Sequence, residues 1–173
     1  MKKYYNPVKI IETNNWYFEL KRSITSLNIQ SPIIITSNGN RKRLELDKRL
    51  NYSFIFSDVK SNPTFETCDK VIKFCDQKRI DGVIAIGGGS VMDLAKVVIA
   101  KLSLGKNKIR ELIDFNEKFT HTIPSVFLPT THGTASEVTM WGTLWNMKEK
   151  KKYSISNLSL YPNIAILDGN LII

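Results

Sequence analysis

Short apolar runs alternate along the chain with longer amphipathic segments. Pro32–Thr36 places three consecutive isoleucines between a proline and a polar turn, which is typical of a buried strand. Similar apolar runs predict further strands at residues 52–56, 83–86, 125–128 and 163–167. Because helix-like segments separate these runs, the pattern predicts a doubly wound, mainly parallel α/β sheet of the Rossmann-like kind.

Three amphipathic segments predict helices between the strands. The first covers 41–50, the second begins after Asn62-Pro63-Thr64, and the third passes through Leu94 and Leu102. On the second helix an apolar stripe includes Cys68 and Cys75, which are seven residues and therefore about 10 Å of helical rise apart. That distance is too long for a disulfide, so we expect two buried structural thiols.

The length and composition indicate one soluble domain. The chain has 173 residues, 42% of them hydrophobic, which predicts a single globular domain over 1–173. No apolar run approaches the roughly 20 residues that span a bilayer, and no apolar stretch of a signal peptide follows the first lysines. With cysteines that are expected to stay reduced, this favours a cytoplasmic protein with no membrane partner.

The basic balance raises the question of an anionic partner. Lys and Arg number 25 against 16 Asp and Glu, a formal net charge of +9. The lysines are spread along the chain, and their one dense run, 148–152, is predicted to form a hairpin tip. Because no aromatic residues interleave with basic ones, we expect no nucleic-acid partner. Solvated charge and attraction of an anionic small ligand both remain open.

A glycine-rich segment follows the strand at 83–86. Gly87, Gly88 and Gly89 precede Ser90 and Asp93, which have the spacing of a helix N-cap and its partner. Glycines let backbone N–H groups approach a phosphate closely, and the positive end of the following helix favours an anion. The segment therefore predicts an anion site, with a tight turn that binds nothing as the alternative.

A second polar segment, Pro129–Thr139, follows the strand at 125–128. It carries five hydroxyl side chains around one glycine, namely Thr130, Thr131, Thr134, Ser136 and Thr139. Hydroxyl donors and small residues suit a wall against which a pyrophosphate and a nicotinamide ring can lie. Hydroxyls that bond only to their own loop backbone are the alternative.

These segments resemble the signatures of a known enzyme family. Gly87–Lys96 is similar to the Gly-Gly-Gly-Ser-x-x-Asp-x-Ala-Lys signature of iron-containing alcohol dehydrogenases. Pro129–Thr139 is similar to their Pro-Thr-Thr-x-Gly-Thr-Gly-Ser-Glu-Val-Thr, with Ala135 in place of the second glycine. Asn62-Pro63 and Tyr161–Asp168 match two further family segments in order and spacing. The chain thus resembles the N-terminal, nucleotide-binding domain of an oxidoreductase.

The resemblance implies a nicotinamide cofactor, NADP or NAD, and a set of residues that bind it. The implied cofactor contacts are Ser37, Asn62, Gly88, Gly89, Ser90, Asp93, Thr130, Thr131, Thr134, Thr139 and Lys152. Lys152 could equally be a solvated lysine. His132 occupies a variable position of the family motif, so we expect it to face cofactor or solvent and not to act as a general acid.

The resemblance also bears on the choice between NAD and NADP. In the family an acidic residue at the position of Ser37 favours NAD, because it binds the ribose hydroxyls and repels a 2′-phosphate. Here Ser37 is followed by Arg41, Lys42 and Arg43. A missing carboxylate and nearby cations predict that NADPH is preferred or at least accepted.

The family's metal, Fe²⁺ or Zn²⁺, is held by a second, helical domain. This chain has only two histidines, His121 and His132, and nothing in it matches the family's metal ligands. We therefore expect the chain to be a fragment that supplies cofactor binding and lacks the metal-binding domain. Catalytic residues and metal ligands are not expected within 1–173.

A short match indicates a substrate. Thr139–Asn146 and Lys151–Ser154 resemble the phosphonoacetaldehyde reductase branch, which implies reduction of phosphonoacetaldehyde to 2-hydroxyethylphosphonate and a small, anionic aldehyde as partner. The full-length enzyme is expected to be a homodimer. Two alternatives stay open: a fragment of a glycerol-dehydrogenase-like or dehydroquinate-synthase-like enzyme, and a non-catalytic basic binding module.

Overall fold

A computed structural model describes residues 5–113 and 122–172, and within them the chain forms eight strands. Their bounds are β1 Lys9–Thr13, β2 Pro32–Thr36, β3 Phe54–Phe56, β4 Gly82–Gly87, β5 Ser125–Pro129, β6 Trp141–Asn146, β7 Lys151–Ser156 and β8 Ile164–Asp168. Six of them make one sheet in the order β1-β8-β5-β4-β2-β3, and every neighbouring pair is parallel. β6 and β7 form a separate antiparallel hairpin. The predicted parallel α/β sheet is confirmed.

Helices connect the strands. Their bounds are α1 Trp16–Ser26, α2 Asn38–Arg43, α3 Leu46–Arg49, α4 Phe65–Cys75, α5 Gly89–Leu104 and α6 Ile109–Ile113, and 3₁₀ turns occupy Ser136–Val138, Leu158–Leu160 and Gly169–Leu171. In the described part of the chain, no helix combines the length and the apolar character needed to cross a membrane.

Both faces of the sheet are covered. Ile33 and Ile35 of β2 pack with α4 and α5 on one face, whereas Ile34 packs with α1 and α3 on the other. All five β2 residues are buried, as expected for a parallel strand between two helical layers. The thiols of Cys68 and Cys75 are free and buried in the first layer. Burial raises the pKa of both, that of Cys75 to about 11.

The direction in which the chain crosses the sheet changes between β2 and β4. From β2 the chain moves outward to β3 through helices on one face, and from β4 it moves the other way to β5 through α5 on the opposite face. The two strands lie in register, with Thr36 opposite Ile86. A crevice therefore opens at their carboxyl ends, which is where open α/β sheets generally bind ligands.

The structure corrects several predicted elements. The single helix expected at 41–50 is two short ones, α2 and α3, because Glu45 between them adopts a left-handed conformation with φ 49°. β3 begins at Phe54, two residues later than predicted. β1 and α1 were not predicted, since β1 is an edge strand whose exposed, partly charged positions hide its pairing with β8.

The hairpin of β6 and β7 packs against α5. Its inner face contributes Leu144 and Ile155 to the core beneath that helix. The turn occupies 147–150, so the predicted hairpin tip is confirmed, although Lys151 and Lys152 belong to β7 itself.

Candidate functional site

The glycine loop, Gly87–Gly89, joins β4 to α5 and touches the second polar segment. A Cβ atom on Gly88 would lie 2.8 Å from Thr131 Oγ1, and one on Gly89 would lie 2.7 Å from Thr134 Oγ1. Gly88 has an ordinary extended φ of −82°, so the loop needs glycine for its missing side chain and not for a left-handed backbone. The structure thus brings the two sequence motifs into direct contact. We call 130–139 the threonine loop.

The start of α5 is open to a ligand. Gly88 is its N-cap and offers no side chain, and no side-chain hydrogen bond caps the helix. An uncapped helix of this length carries about half a positive charge at its first turn. Gly88 and Gly89 are half-buried, and the neighbouring Thr131 and Thr134 are exposed. Backbone N–H groups and hydroxyls therefore surround a space that suits a diphosphate.

Ser90 and Asp93 do not form the predicted N-cap pair. Because Gly88 is the N-cap, Ser90 lies inside the first turn, and its Oγ accepts a hydrogen bond from Asn62 N at 3.1 Å. Asn62 itself has a left-handed backbone, with φ 57°. Asp93 Oδ1 accepts a hydrogen bond from Ser136 Oγ at 3.0 Å. Both side chains therefore tie other loops to α5 and do not close its end.

Lys96 lies at the centre of this region, although no role was predicted for it from the sequence. Its side chain is fully buried, and its Nζ donates to Ser136 O, Ser136 Oγ, Thr139 Oγ1 and Trp141 O at 2.9, 2.9, 2.9 and 2.6 Å. Burial lowers the Lys96 pKa to about 8, and the carboxylates of Asp93 and Glu137 oppose that shift. A lysine within an otherwise apolar stretch of α5 was the available signal.

Asp93 carries the opposite charge in the same network. Burial raises the pKa of its carboxyl, while the Lys96 ammonium and the Ser136 hydroxyl favour the ionised form. Lys152 also lies near enough to favour ionisation of Asp93. Lys152 is exposed on β7, with its Nζ 6.0 Å from the centroid of the Trp145 ring. It therefore borders the network from the hairpin side.

A smaller set of polar side chains lies beneath the crevice. Thr130 is only 1% exposed, and its Oγ1 accepts from Asn40 Nδ2 at 3.3 Å. Thr36 Oγ1 donates to Ile86 O at 2.7 Å. The hydroxyl of Thr130 thus faces protein, and its contact with a cofactor stays a prediction.

The loop after β2 is rich in side-chain contacts. Ser37 Oγ caps α2 by accepting from Asn40 N at 3.2 Å. Arg41 forms a two-point ion pair with Asp47 at 2.6 and 2.9 Å, which raises the Arg41 pKa and lowers that of Asp47. Arg43 donates to Leu171 O at 2.8 Å. Of the three predicted cations, two are therefore held by protein, and the third, Lys42, is exposed.

A cleft of about 500 Å³ lies beside the threonine loop. It is lined by the carboxyl ends of β1, β5 and β8 and by loop residues that include His132 and Glu137. Asp168, also in its wall, accepts backbone amides of Trp16 and Asn170, both at 2.8 Å, so its carboxylate has a structural role. His121 lies outside the described residues. Among the residues described, no group of three or more His, Cys, Asp or Glu could hold a metal ion.

Comparison with known proteins gives the family. The family model described as iron-containing alcohol dehydrogenase matches residues 7–169. The chain is 36% identical over 124 residues to 1-propanol dehydrogenase PduQ of Citrobacter freundii, covering 71% of this chain and 30% of that protein. It is 30% identical over 123 residues to NADH-dependent butanol dehydrogenase B of Clostridium acetobutylicum, covering 71% and 31%.

Similar solved structures indicate the same family. A sulfoacetaldehyde reductase from Bifidobacterium kashiwanohense in complex with NAD⁺ matches with a TM-score of 0.88 and 27% identity, covering 99% of this chain and 47% of that one. An iron-containing alcohol dehydrogenase from Thermotoga maritima matches with a TM-score of 0.83 and 29% identity, covering 99% and 48%. The chain spans about a third of these curated relatives and about half of these solved structures. It belongs to the iron-containing alcohol dehydrogenase family.

Proposed function

We propose that residues 1–173 are the nicotinamide-dinucleotide-binding part of an NAD(P)H-dependent alcohol dehydrogenase or aldehyde reductase. The observation that carries the proposal is the uncapped start of α5, where bare glycines after β4 meet exposed threonine hydroxyls of the loop after the neighbouring strand β5. That arrangement supplies neutral donors and a positive helix end to an anion, with no side chain in the way.

Each group in the site has a proposed task. The amides at Gly88 and Gly89 and the hydroxyls of Thr131 and Thr134 donate hydrogen bonds to the diphosphate. The cleft of about 500 Å³ beside the threonine loop receives the nicotinamide end. When bound, the nicotinamide supplies hydride transfer. The described residues bind and orient the cofactor and exclude water beneath it, since the crevice floor at Thr130 is buried.

The family name implies iron, but the described residues do not fit a metal site. No cluster of three or more ligating side chains occurs among them, and both oxygens of Asp168 accept backbone amides. We therefore propose that any metal is held by parts of the enzyme outside the described residues, and no step here depends on it.

We further propose that the site accepts NADPH. Ser37 follows β2 and has no carboxylate that would repel a 2′-phosphate, and Lys42 is exposed on the helix that begins after Ser37. Arg41 supports this less than the sequence predicts, because Asp47 holds its guanidinium. Dissociation constants measured for both cofactors test the point, and NADH bound at least tenfold more tightly would contradict it.

For the substrate we propose a small aldehyde that carries a phosphonate or sulfonate group, with phosphonoacetaldehyde as the first candidate. The support is the net charge of +9 and the similarity to a protein named sulfoacetaldehyde reductase. The whole enzyme should reduce phosphonoacetaldehyde with a kcat/KM at least tenfold above that for propanal. Equal or reversed values would contradict an anionic substrate.

Titration of this chain with NADH, with NADPH and with a mixed-sequence oligonucleotide tests the cofactor proposal. Three tryptophans provide an intrinsic fluorescence signal. We expect saturable 1:1 binding of at least one nicotinamide cofactor and no specific oligonucleotide binding. Tight, steeply salt-dependent oligonucleotide binding without a response to either cofactor would instead indicate a basic binding module.

A further inference from the structure

Helix α5 buries two lysines whose surroundings differ. Lys96 is fully buried and reaches the threonine loop through four acceptors between Ser136 and Trp141. Lys101 is 8% exposed and reaches Asp76 at 3.2 Å and Asn107 Oδ1 at 2.9 Å, at the other end of the helix. Only the first lysine connects α5 to residues near the glycine loop.

The oxygens around the Lys96 ammonium provide acceptors for all of its N–H donors. It has three N–H donors, and the four oxygens within 2.9 Å share them. Ser136 Oγ accepts from Lys96 and donates to Asp93 Oδ1, so this hydroxyl links the ammonium to the carboxylate. A single buried cation thus fixes the end of the threonine loop and the direction of Asp93.

The loop also stores backbone strain next to this anchor. Ala135, directly before Ser136, is left-handed with φ 51°. A non-glycine residue in that conformation costs about 1–2 kcal/mol, which surrounding contacts must offset. The hydrogen bonds from Lys96 to Ser136 are the adjacent contacts that hold this part of the loop in place.

We infer that Lys96 is a positioning residue for the cofactor site, which holds the threonine loop and the Asp93 carboxylate in the geometry that binds the dinucleotide. The inference rests on the proposed function. Because Lys96 is fully buried, it acts through Ser136, Thr139 and Asp93.

The affinity for the cofactor should depend on the charge of Lys96 and therefore on pH. The charged groups that face Lys96 are Asp93 and Glu137, and Lys152 faces Asp93 from the hairpin. When Lys96 loses its proton, one donor disappears and Asp93 loses its main compensating charge. Because the dinucleotide is an anion, its affinity should fall as pH rises above about 8, the pKa of Lys96.

Lys96→Met tests the inference, with Lys101→Met as the matched control. Both variants remove a buried ammonium from the same helix and keep an unbranched side chain. We expect the Kd for NADPH, the probe cofactor, to rise at least tenfold in K96M and to stay within twofold in K101M. Amide hydrogen exchange at 136–141 without cofactor should accelerate in K96M only. Equal affinity in wild type and K96M would overturn the inference.

Ser136→Ala provides a second variant if K96M does not fold. It removes the hydroxyl that links Lys96 to Asp93 and keeps the backbone carbonyl, so the Kd should rise about threefold. In wild type the Kd should rise between pH 7 and 9, and in S136A this rise should be smaller. An identical pH profile in S136A would overturn the inference. A wild-type chain that binds neither nicotinamide cofactor would instead contradict the proposed function, while the exchange experiment still reports on Lys96.

Discussion

The loops that follow β4 and β2 meet at one crevice but are built in opposite ways. After β4 the chain offers bare glycines and a helix without a side-chain cap. After β2 the Ser37 hydroxyl caps α2, and Arg41 is held by Asp47. The first loop presents backbone and the second presents side chains.

This difference separates two tasks of a dinucleotide site. A diphosphate is common to every nicotinamide cofactor, and backbone amides at a helix start can bind it whatever the side chains are. The choice between a ribose hydroxyl and a 2′-phosphate depends on a charge, which only side chains supply. Substitutions after β4 should therefore change affinity for both cofactors, and those after β2 should change their ratio.

The largest effect is expected for Gly89→Val. Its Cβ would lie 2.7 Å from Thr134 Oγ1 and would cover the amides at the helix start. Affinity for NADH and NADPH should fall at least 100-fold, about 3 kcal/mol. Gly39→Val in α2 is the control, because a Cβ there meets only Ser37 Oγ at 3.8 Å. Calorimetric titration measures both, and a similar loss in the two variants would remove the distinction between the loops.

The buried ammonium of Lys96, on the β4 side, should change how stability depends on pH. The folded-state pKa of Lys96, about 8, lies below its ordinary value of 10.5, so between these values the unfolded chain binds more protons. Lys96 should therefore contribute a rise in stability of about 2 kcal/mol between pH 7 and 9.5, and the buried thiols of Cys68 and Cys75 should oppose this rise, because their raised pKa values keep them protonated only in the folded state. Urea unfolding at both pH values should therefore show a more favourable change with pH in wild type than in K96M. Equal changes in the two proteins would show that Lys96 does not contribute.

Ser37→Asp tests the β2 side. Aspartate can replace serine as the cap of α2, so the fold should be kept. The new carboxylate should repel a 2′-phosphate and lower the ratio of NADPH to NADH affinity at least tenfold, about 1.4 kcal/mol. Ser37→Asn keeps a cap without charge and should leave the ratio within threefold. An unchanged ratio in the aspartate variant would place the 2′ end elsewhere.

Ala135→Gly tests whether the backbone of the threonine loop is strained. Since Ala135 has φ 51°, glycine should relieve backbone strain and stabilise the domain by about 1 kcal/mol. Lys150→Gly at the hairpin tip, with φ 50°, should give a similar gain in thermal stability. Loss of stability in A135G would show that the loop is not strained at this position.

The smallest effect is expected for Asp47→Ala. Arg41 and Asp47 form an ion pair at the surface, where solvent screening leaves such pairs with little effect on stability. Stability should hardly change, while the released Arg41 guanidinium should raise NADPH affinity about threefold without affecting NADH. A parallel change for both cofactors would show that Arg41 lies away from the 2′ end.

The elements that sequence predicts well are those whose environment is uniform. β2, β4 and β5 are buried on both faces, so their apolar runs indicate strands directly. The hairpin turn at 147–150 follows from its polar residues between two strand-like segments. Edge strand β1 escaped prediction because only one of its sides pairs and its side chains are mostly exposed.

The glycine and threonine segments of the candidate site could be recognised in the sequence, whereas the buried contacts of Lys96 could not. The glycine loop is a local signal, and the structure brings it against Thr131 and Thr134. The partners of Lys96 lie 40 to 45 residues away in sequence, so no local spacing could indicate them. The same distance effect explains why Ser90 and Asp93, correctly spaced for a helix cap, instead bond to Asn62 and Ser136.

We propose that the amides at the start of α5 bind the diphosphate of a nicotinamide dinucleotide. Amide chemical shifts of the ¹⁵N-labelled chain, recorded during titration with NADPH and NADH, test it directly. We expect the amides of Gly88, Gly89 and Ser90 to shift most and to saturate together with either cofactor. Saturable binding that leaves these three amides unmoved, or no shift with either cofactor, would contradict it.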